Sequence, residues 1–119
     1  MRRLRESFSC AFAGLSYCFR TEKNMKIHVL ATAAVIIIAV LSGISRMEWG
    51  LLVLTVFMVL VAETINTAIE KTVDLVTPDF HHLAGLAKNL AAGAVLLAAF
   101  NAVVMAVIIF GPHIGKVLN

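Results

Sequence analysis

Ala62-Glu63-Thr64-Ile65-Asn66-Thr67-Ala68-Ile69-Glu70-Lys71-Thr72-Val73-Asp74 follows directly on Trp49–Ala62, a run without a charged residue. Read as one helix, the two stretches are apolar for several turns and then acquire four polar side chains on a single face. At 100° per residue Glu63, Asn66, Glu70 and Asp74 lie within an arc of about 80°, with Ile65, Ala68, Ile69 and Val73 outside it. A carboxylate left at the edge of hydrocarbon costs about 2–3 kcal/mol, less near the interface. A helix that only spanned a membrane would gain from Leu at positions 63 and 66, so the stripe is a candidate site. The competing explanation is purely solvational: Glu70 and Asp74 stand beyond the bilayer and Glu63 snorkels toward them.

The remaining chain sets this helix in a membrane. Of 119 residues 61% are hydrophobic and 14% charged, against about 45–50% and 25% in soluble domains. Three apolar runs, Ile27–Ile44, Trp49–Ala68 and Leu90–Phe110, each approach the roughly 20 residues that cross a ~30 Å core. The sequence therefore predicts an all-α integral membrane protein with one domain over residues 1–119. Arg2, Arg3, Arg5, Arg20, Lys23 and Lys26 precede the first run and Lys71 and Lys88 lie between the second and third, leaving Arg46 and Lys116 for the other side. That bias predicts a cytoplasmic amino terminus and second loop, so the stripe opens onto the compartment that holds ATP and Mg²⁺. The net charge of +3 follows this asymmetry and carries no nucleic-acid footprint.

Residues 1–26 precede the spans. Leu4, Phe8, Phe12, Leu15 and Phe19 fall within an arc of about 80°, flanked by arginines, which predicts an amphipathic helix in the interface and a connector. Glu22 in that connector is either an ordinary interfacial acid, half of a capping box with Thr21, or a group at the depth of the stripe and able to meet it. Cys10 and Cys18, without metal-ligand spacing, read as small apolar residues. The first span is residues 27–44, in which His28 reads as a packed, hydrogen-bonded residue. Residues 43–48 read as a short outer turn. The second span with its polar extension is 49–76, ended by Pro78, and His81 and His82 are adjacent and so on different faces. The third helix is 82–110, where Ala94, Ala98, Ala102 and Ala106 form a small-residue ladder for close helix approach. Three short spans enclose a polar site poorly, which predicts an oligomer.

Carboxylates, an amide and a lysine at one membrane boundary suit phosphoryl transfer. Mg²⁺ takes one or two carboxylates plus phosphate oxygens, a lysine neutralises charge, and a carboxylate takes the proton of an attacking hydroxyl. By depth Glu63 would face a lipid hydroxyl, with Glu70 and Glu22 toward metal and ATP. There is no Walker-type loop, no G-x-G-x-x-G and no protein-kinase signature, so any nucleotide site is built by side chains of packed helices. A proton-coupled transporter using Glu63, or a non-catalytic membrane subunit, would use the same constellation.

Glu63–Asp74, E-T-I-N-T-A-I-E-K-T-V-D, followed by H-x-L-A-x-x-A-K-N-x-A-A-G-A-V-L over His81–Leu96, resembles the prokaryotic diacylglycerol kinase family, whose pattern is E-x-x-N-(S/T)-A-I-E-x-x-x-D, then A-K-D and a small-residue run. Thr21–His28, T-E-K-N-M-K-I-H, resembles the Gram-positive members that act as undecaprenol kinases. The likeness covers about Ser7 to Phe110. It implies a homotrimer of subunits with a surface helix and three spans, in the bacterial cytoplasmic membrane, phosphorylating undecaprenol or diacylglycerol with ATP. By motif position it implies Glu63 as general base, Glu22 and Glu70 as ligands of Mg²⁺ or another divalent ion, Asn66 and Asp74 in the nucleotide site, and Lys88 on the ATP phosphates. Asn89 stands at the nucleotide-site position where the family has Asp. It is uncharged but still able to accept a hydrogen bond, and this departure motivates the alternative of a catalytically impaired member.

Overall fold

The computed structural model describes all 119 residues as four helices and no strands: α1 (Arg2–Thr21), α2 (Lys23–Ser42), α3 (Arg46–Val76) and α4 (His82–Leu118). The last three are long and apolar enough to cross a membrane. The radius of gyration is 17.8 Å, against about 13–14 Å for a compact chain of this length. Only 14 of 119 residues are buried within the chain, and Leu30, Leu41, Leu54, Leu97 and Phe100 are all exposed. In water such a surface would aggregate; hydrocarbon or neighbouring helices must cover it. This is a membrane protein.

The junctions decide where each helix begins and ends. Glu22 alone separates α1 from α2, in an extended conformation (φ −85°, ψ 120°), so the amphipathic helix stops at Thr21 and the first span begins at Lys23, four residues before the apolar run. Thr21 is no capping-box partner: its hydroxyl donates to the Tyr17 carbonyl at 2.7 Å, and Glu22 makes no side-chain cap. α2 ends at Ser42 because Gly43 adopts the left-handed region (φ 63°, ψ 47°), where its N–H reaches the Ala39 and Val40 carbonyls.

The outer turn expected over residues 43–48 is shorter than that. Ser45 Oγ accepts from the Glu48 N–H at 3.2 Å, and Glu48 Oε1 accepts from the Ser45 N–H at 3.0 Å. This capping box satisfies two terminal donors and starts α3 at Arg46. At the far end Thr77 is extended, as a residue before proline must be, and α3 stops at Val76. His81 caps α4 through Nδ1, which accepts from the Leu83 N–H at 3.1 Å. α4 does not end at Phe110: it runs through Pro112 to Leu118. The proline removes one backbone bond at a cost of about 3 kcal/mol, and the flanking turns keep theirs.

α3 and α4 form the principal hairpin, with α2 laid against α3. Of the predicted ladder Ala98 is buried within the chain, Ala102 and Ala106 are half-buried and Ala94 is exposed; Ala91, one turn earlier, is buried as well. Ala39, Ile44, Leu52, Ile109 and Phe110 make the buried apolar cluster, at the Gly43 end. α1 leaves Leu4, Phe8, Phe12, Leu15 and Phe19 exposed, the uncovered apolar face of an interfacial helix.

Candidate functional site at the inner turns of α3

Glu63 lies 17 residues into α3, about 25 Å from its start at 1.5 Å per residue. The apolar segment before it nearly spans a bilayer, and the side chains after it approach water. Burial follows the same gradient. Glu63 is 1% exposed and Asn66 5%, Glu70 is half-buried and Asp74 exposed. The predicted stripe is therefore continuous on one helix face and graded in depth.

Other helices supply what α3 cannot. From α2, His28 Nε2 lies 3.5 Å from Glu63 Oε2, a contact too long to count as a hydrogen bond, so that oxygen is buried without a partner. Asn66 Nδ2 donates to Glu70 Oε1 at 3.3 Å, while its own Oδ1 is buried and unpartnered. From α4, Lys88 forms an ion pair with Asp74, both partly exposed. From α1, Cys18, itself buried, donates through Sγ to Thr67 Oγ1 at 3.8 Å. Tyr17 carries the Lys71 ammonium 5.6 Å above its ring centroid, a cation–π contact that seats the surface helix on α3.

Glu22 is half-buried at the α1–α2 junction, and its charge, like that of Asp74, acts on the Lys71 ammonium of α3. No group of three or more His, Cys, Asp or Glu side chains in the chain is placed to hold a metal. Glu70 offers a carboxylate beside an unpartnered amide oxygen, a donor set compatible with Mg²⁺ that takes its other ligands from phosphate and water. Asn89 is exposed and makes no side-chain hydrogen bond, and Lys88 is held by Asp74 across the hairpin instead. His28, read from the sequence as a packed, hydrogen-bonded residue, is largely buried, but its imidazole makes no hydrogen bond and stands against Glu63. Its position one turn inside α2, at the depth of Glu63, was the available signal, but the pairing requires α2 to pack on α3.

Between α2, α3 and α4 runs a crevice of about 290 Å³ with His28 on its wall and Ala31, Val35, Leu52, Val59 and Ala102 along it. Its two threonines, Thr32 and Thr55, spend their hydroxyls on the His28 and Leu51 carbonyls at 2.7 Å. The imidazole is thus the one polar side chain on the crevice wall not committed to a backbone carbonyl, and it also faces Glu63.

Residues 9–110 match the profile of the family described as prokaryotic diacylglycerol kinase. The undecaprenol kinase of Bacillus subtilis (strain 168) is 39% identical over 114 residues, 96% of this chain and 93% of that protein. A diacylglycerol kinase of Synechocystis is 46% identical over 100 residues, 83% of this chain and 57% of that protein. A diacylglycerol kinase of Escherichia coli (strain K12) is 28% identical over 113 residues, 95% of this chain and 93% of that protein. The chain thus spans a little over half of the Synechocystis relative and nearly all of the other two.

Proposed function

The chain belongs to the prokaryotic diacylglycerol kinase family, and from that membership we propose that it transfers the γ-phosphate of ATP to a membrane lipid alcohol, undecaprenol in preference to diacylglycerol. The observation that carries this reading is Glu63: a carboxylate 1% exposed, at one end of an apolar hairpin, with an oxygen that no protein group satisfies. A buried acceptor without a partner costs about 1–3 kcal/mol, a cost that a purely structural helix would not carry, and neither carboxylate oxygen is spent on a protein hydrogen bond. The crevice, apolar except for the His28 imidazole and two threonines, suits a hydrocarbon or isoprenoid tail. The Thr21–His28 segment and the full-length likeness to the Bacillus protein favour the polyprenol.

The division of labour follows depth. Glu63 takes the proton of the lipid hydroxyl as that oxygen bonds the γ-phosphorus. The bond from phosphorus to the β–γ bridging oxygen breaks, leaving ADP and the phosphorylated lipid. Lys88 lies on the phosphate side, with Asp74 fixing its ammonium, and Asn66 and Asp74 border the nucleotide. Glu70 with Glu22 would hold Mg²⁺, which when bound offsets charge on the phosphates. Because no three His, Cys, Asp or Glu side chains of one chain form a group that could hold a metal, we assign completion of the site to a neighbouring copy in a homotrimer. The Lys/Arg bias supports a cytoplasmic location for this end and the amino terminus, and the family likeness supports a bacterial inner membrane.

The test is transfer of labelled γ-phosphate from ATP with Mg²⁺, in mixed micelles, to undecaprenol and diacylglycerol in parallel. Turnover favouring undecaprenol and lost in Glu63→Gln supports the reading. Turnover favouring diacylglycerol reassigns the substrate. A folded oligomer that phosphorylates neither alcohol sinks it.

A further inference from the structure

Glu63 is buried on α3, but what faces it comes from α2. His28 Nε2 stands 3.5 Å from Glu63 Oε2, with the two side chains 19% and 2% exposed. The same Oε2 is one of only two buried side-chain atoms in the chain without a hydrogen bond. The separation exceeds an N–H···O bond by about half an ångström. No other residue competes for the contact. Asn24, Thr32, Ala92 and Ala99, which surround His28 in its two crevices, are uncharged, and Lys23 and Lys26 at the start of α2 are exposed and make no ion pair with Glu63. The backbone under the imidazole is tied as well, since the His28 carbonyl accepts from Thr32 Oγ1.

We propose that His28 is the positioning residue for Glu63: with its proton on Nε2 it donates to Oε2, orients the carboxylate and leaves Oε1 to receive the lipid hydroxyl's proton. A carboxylate with both oxygens free can rotate about its terminal torsion, which has broad preferences. One held by an imidazole presents a single oxygen to the substrate. The group nearest the base is also the polar group on the apolar crevice, so the tail of the lipid and the orientation of the base are read by one side chain. His28 forms no bond to phosphorus and accepts no proton in this scheme. It acts through Glu63 and rests on the lipid-kinase reading above.

The experiment compares the full-length protein with His28→Leu and His28→Gln, measuring phosphate transfer at varied ATP and lipid alcohol. In parallel, the imidazole ¹⁵N resonances of His28 are recorded in the wild type and in Glu63→Gln without substrate. His28→Leu lowers kcat by about tenfold to a hundredfold and leaves KM for ATP within about twofold, because the interaction serves the reacting base. His28→Gln, whose amide nitrogen can still donate, recovers most of the loss. The ¹⁵Nε2 resonance moves in Glu63→Gln, reporting the exchange of a charged carboxylate acceptor for a neutral amide. An unchanged kcat in His28→Leu, or a ¹⁵Nε2 signal indifferent to Glu63→Gln, overturns the proposal. If both His28 variants fall equally with rising KM for ATP, His28 is merely structural and the proposal is also overturned. Failure of the wild type on both alcohols sinks the kinase reading and the catalytic role with it, while the ¹⁵N comparison still decides whether the pair exists.

Discussion

The α3–α4 hairpin is closed at both ends by the same device, an acid from α3 against a base from α4. At one end Lys88 pairs with Asp74; at the other His113 Nε2 lies 3.3 Å from Glu48 Oε2. Glu48 and Asp74 are 26 residues apart, about 39 Å along the helix, so the two pairs bracket a bilayer core. The resemblance ends there. At the Glu48 end the carboxylate is shared among the Ser45 N–H and His113, Ser45 returns a bond to the Glu48 backbone, and the buried apolar cluster lies alongside. At the Glu63 end two buried polar atoms, Glu63 Oε2 and Asn66 Oδ1, have no partner. Folded chains leave few such atoms, and here both lie within one turn of one helix. One end satisfies its polar groups within the chain, and the other keeps two of them unpaired.

That contrast is exposed to experiment. The largest effect belongs to Glu63→Gln, which lowers phosphate transfer by about 10²–10⁴-fold, the range of a lost general base. It leaves thermal unfolding of the detergent-solubilised protein unchanged or raises its midpoint, since a buried charge is removed. A parallel collapse of stability would make Glu63 a structural residue and erase the contrast. Next come Asp74→Asn and Lys88→Met. Each raises KM for ATP by about tenfold, with little loss of stability because the pair is partly exposed. A fall in kcat with KM for ATP unchanged would move Lys88 from the nucleotide to the reacting lipid.

At the opposite end Ser45→Ala removes an N-cap worth about 1 kcal/mol and lowers the unfolding midpoint by a few degrees. Phosphate transfer per folded molecule stays at the wild-type value, and a specific loss of turnover would show that the two ends are coupled. Asn89→Asp has the smallest effect, a rise in turnover of no more than about threefold, the scale of an exposed substitution. Lys88 already has its carboxylate in Asp74. A rise of orders of magnitude would mean that Asp74 does not suffice and that Asn89 disables the site.

Much of this was legible in the chain as written. The apolar runs set three membrane helices, because hydrocarbon admits only backbone that bonds to itself. The 3.6-residue period put Glu63, Asn66, Glu70 and Asp74 on one face, since helix geometry alone fixes angular position. Helix ends were less legible. The capping box at Ser45 starts α3 earlier than the apolar run does, and Pro112 fails to stop α4, because caps and local bonds set boundaries that hydropathy does not register.

Contacts between helices were decided by tertiary packing. His28 against Glu63 joins residues 35 positions apart on α2 and α3, and His113 against Glu48 joins residues 65 apart on α3 and α4. Neither spacing is a period of any helix. Such pairs exist only once α2 and α4 pack on α3. The sequence names the polar groups and their depth; which of them remain unpartnered, and therefore open to a ligand, depends on what the neighbouring helices bring within about 3 Å.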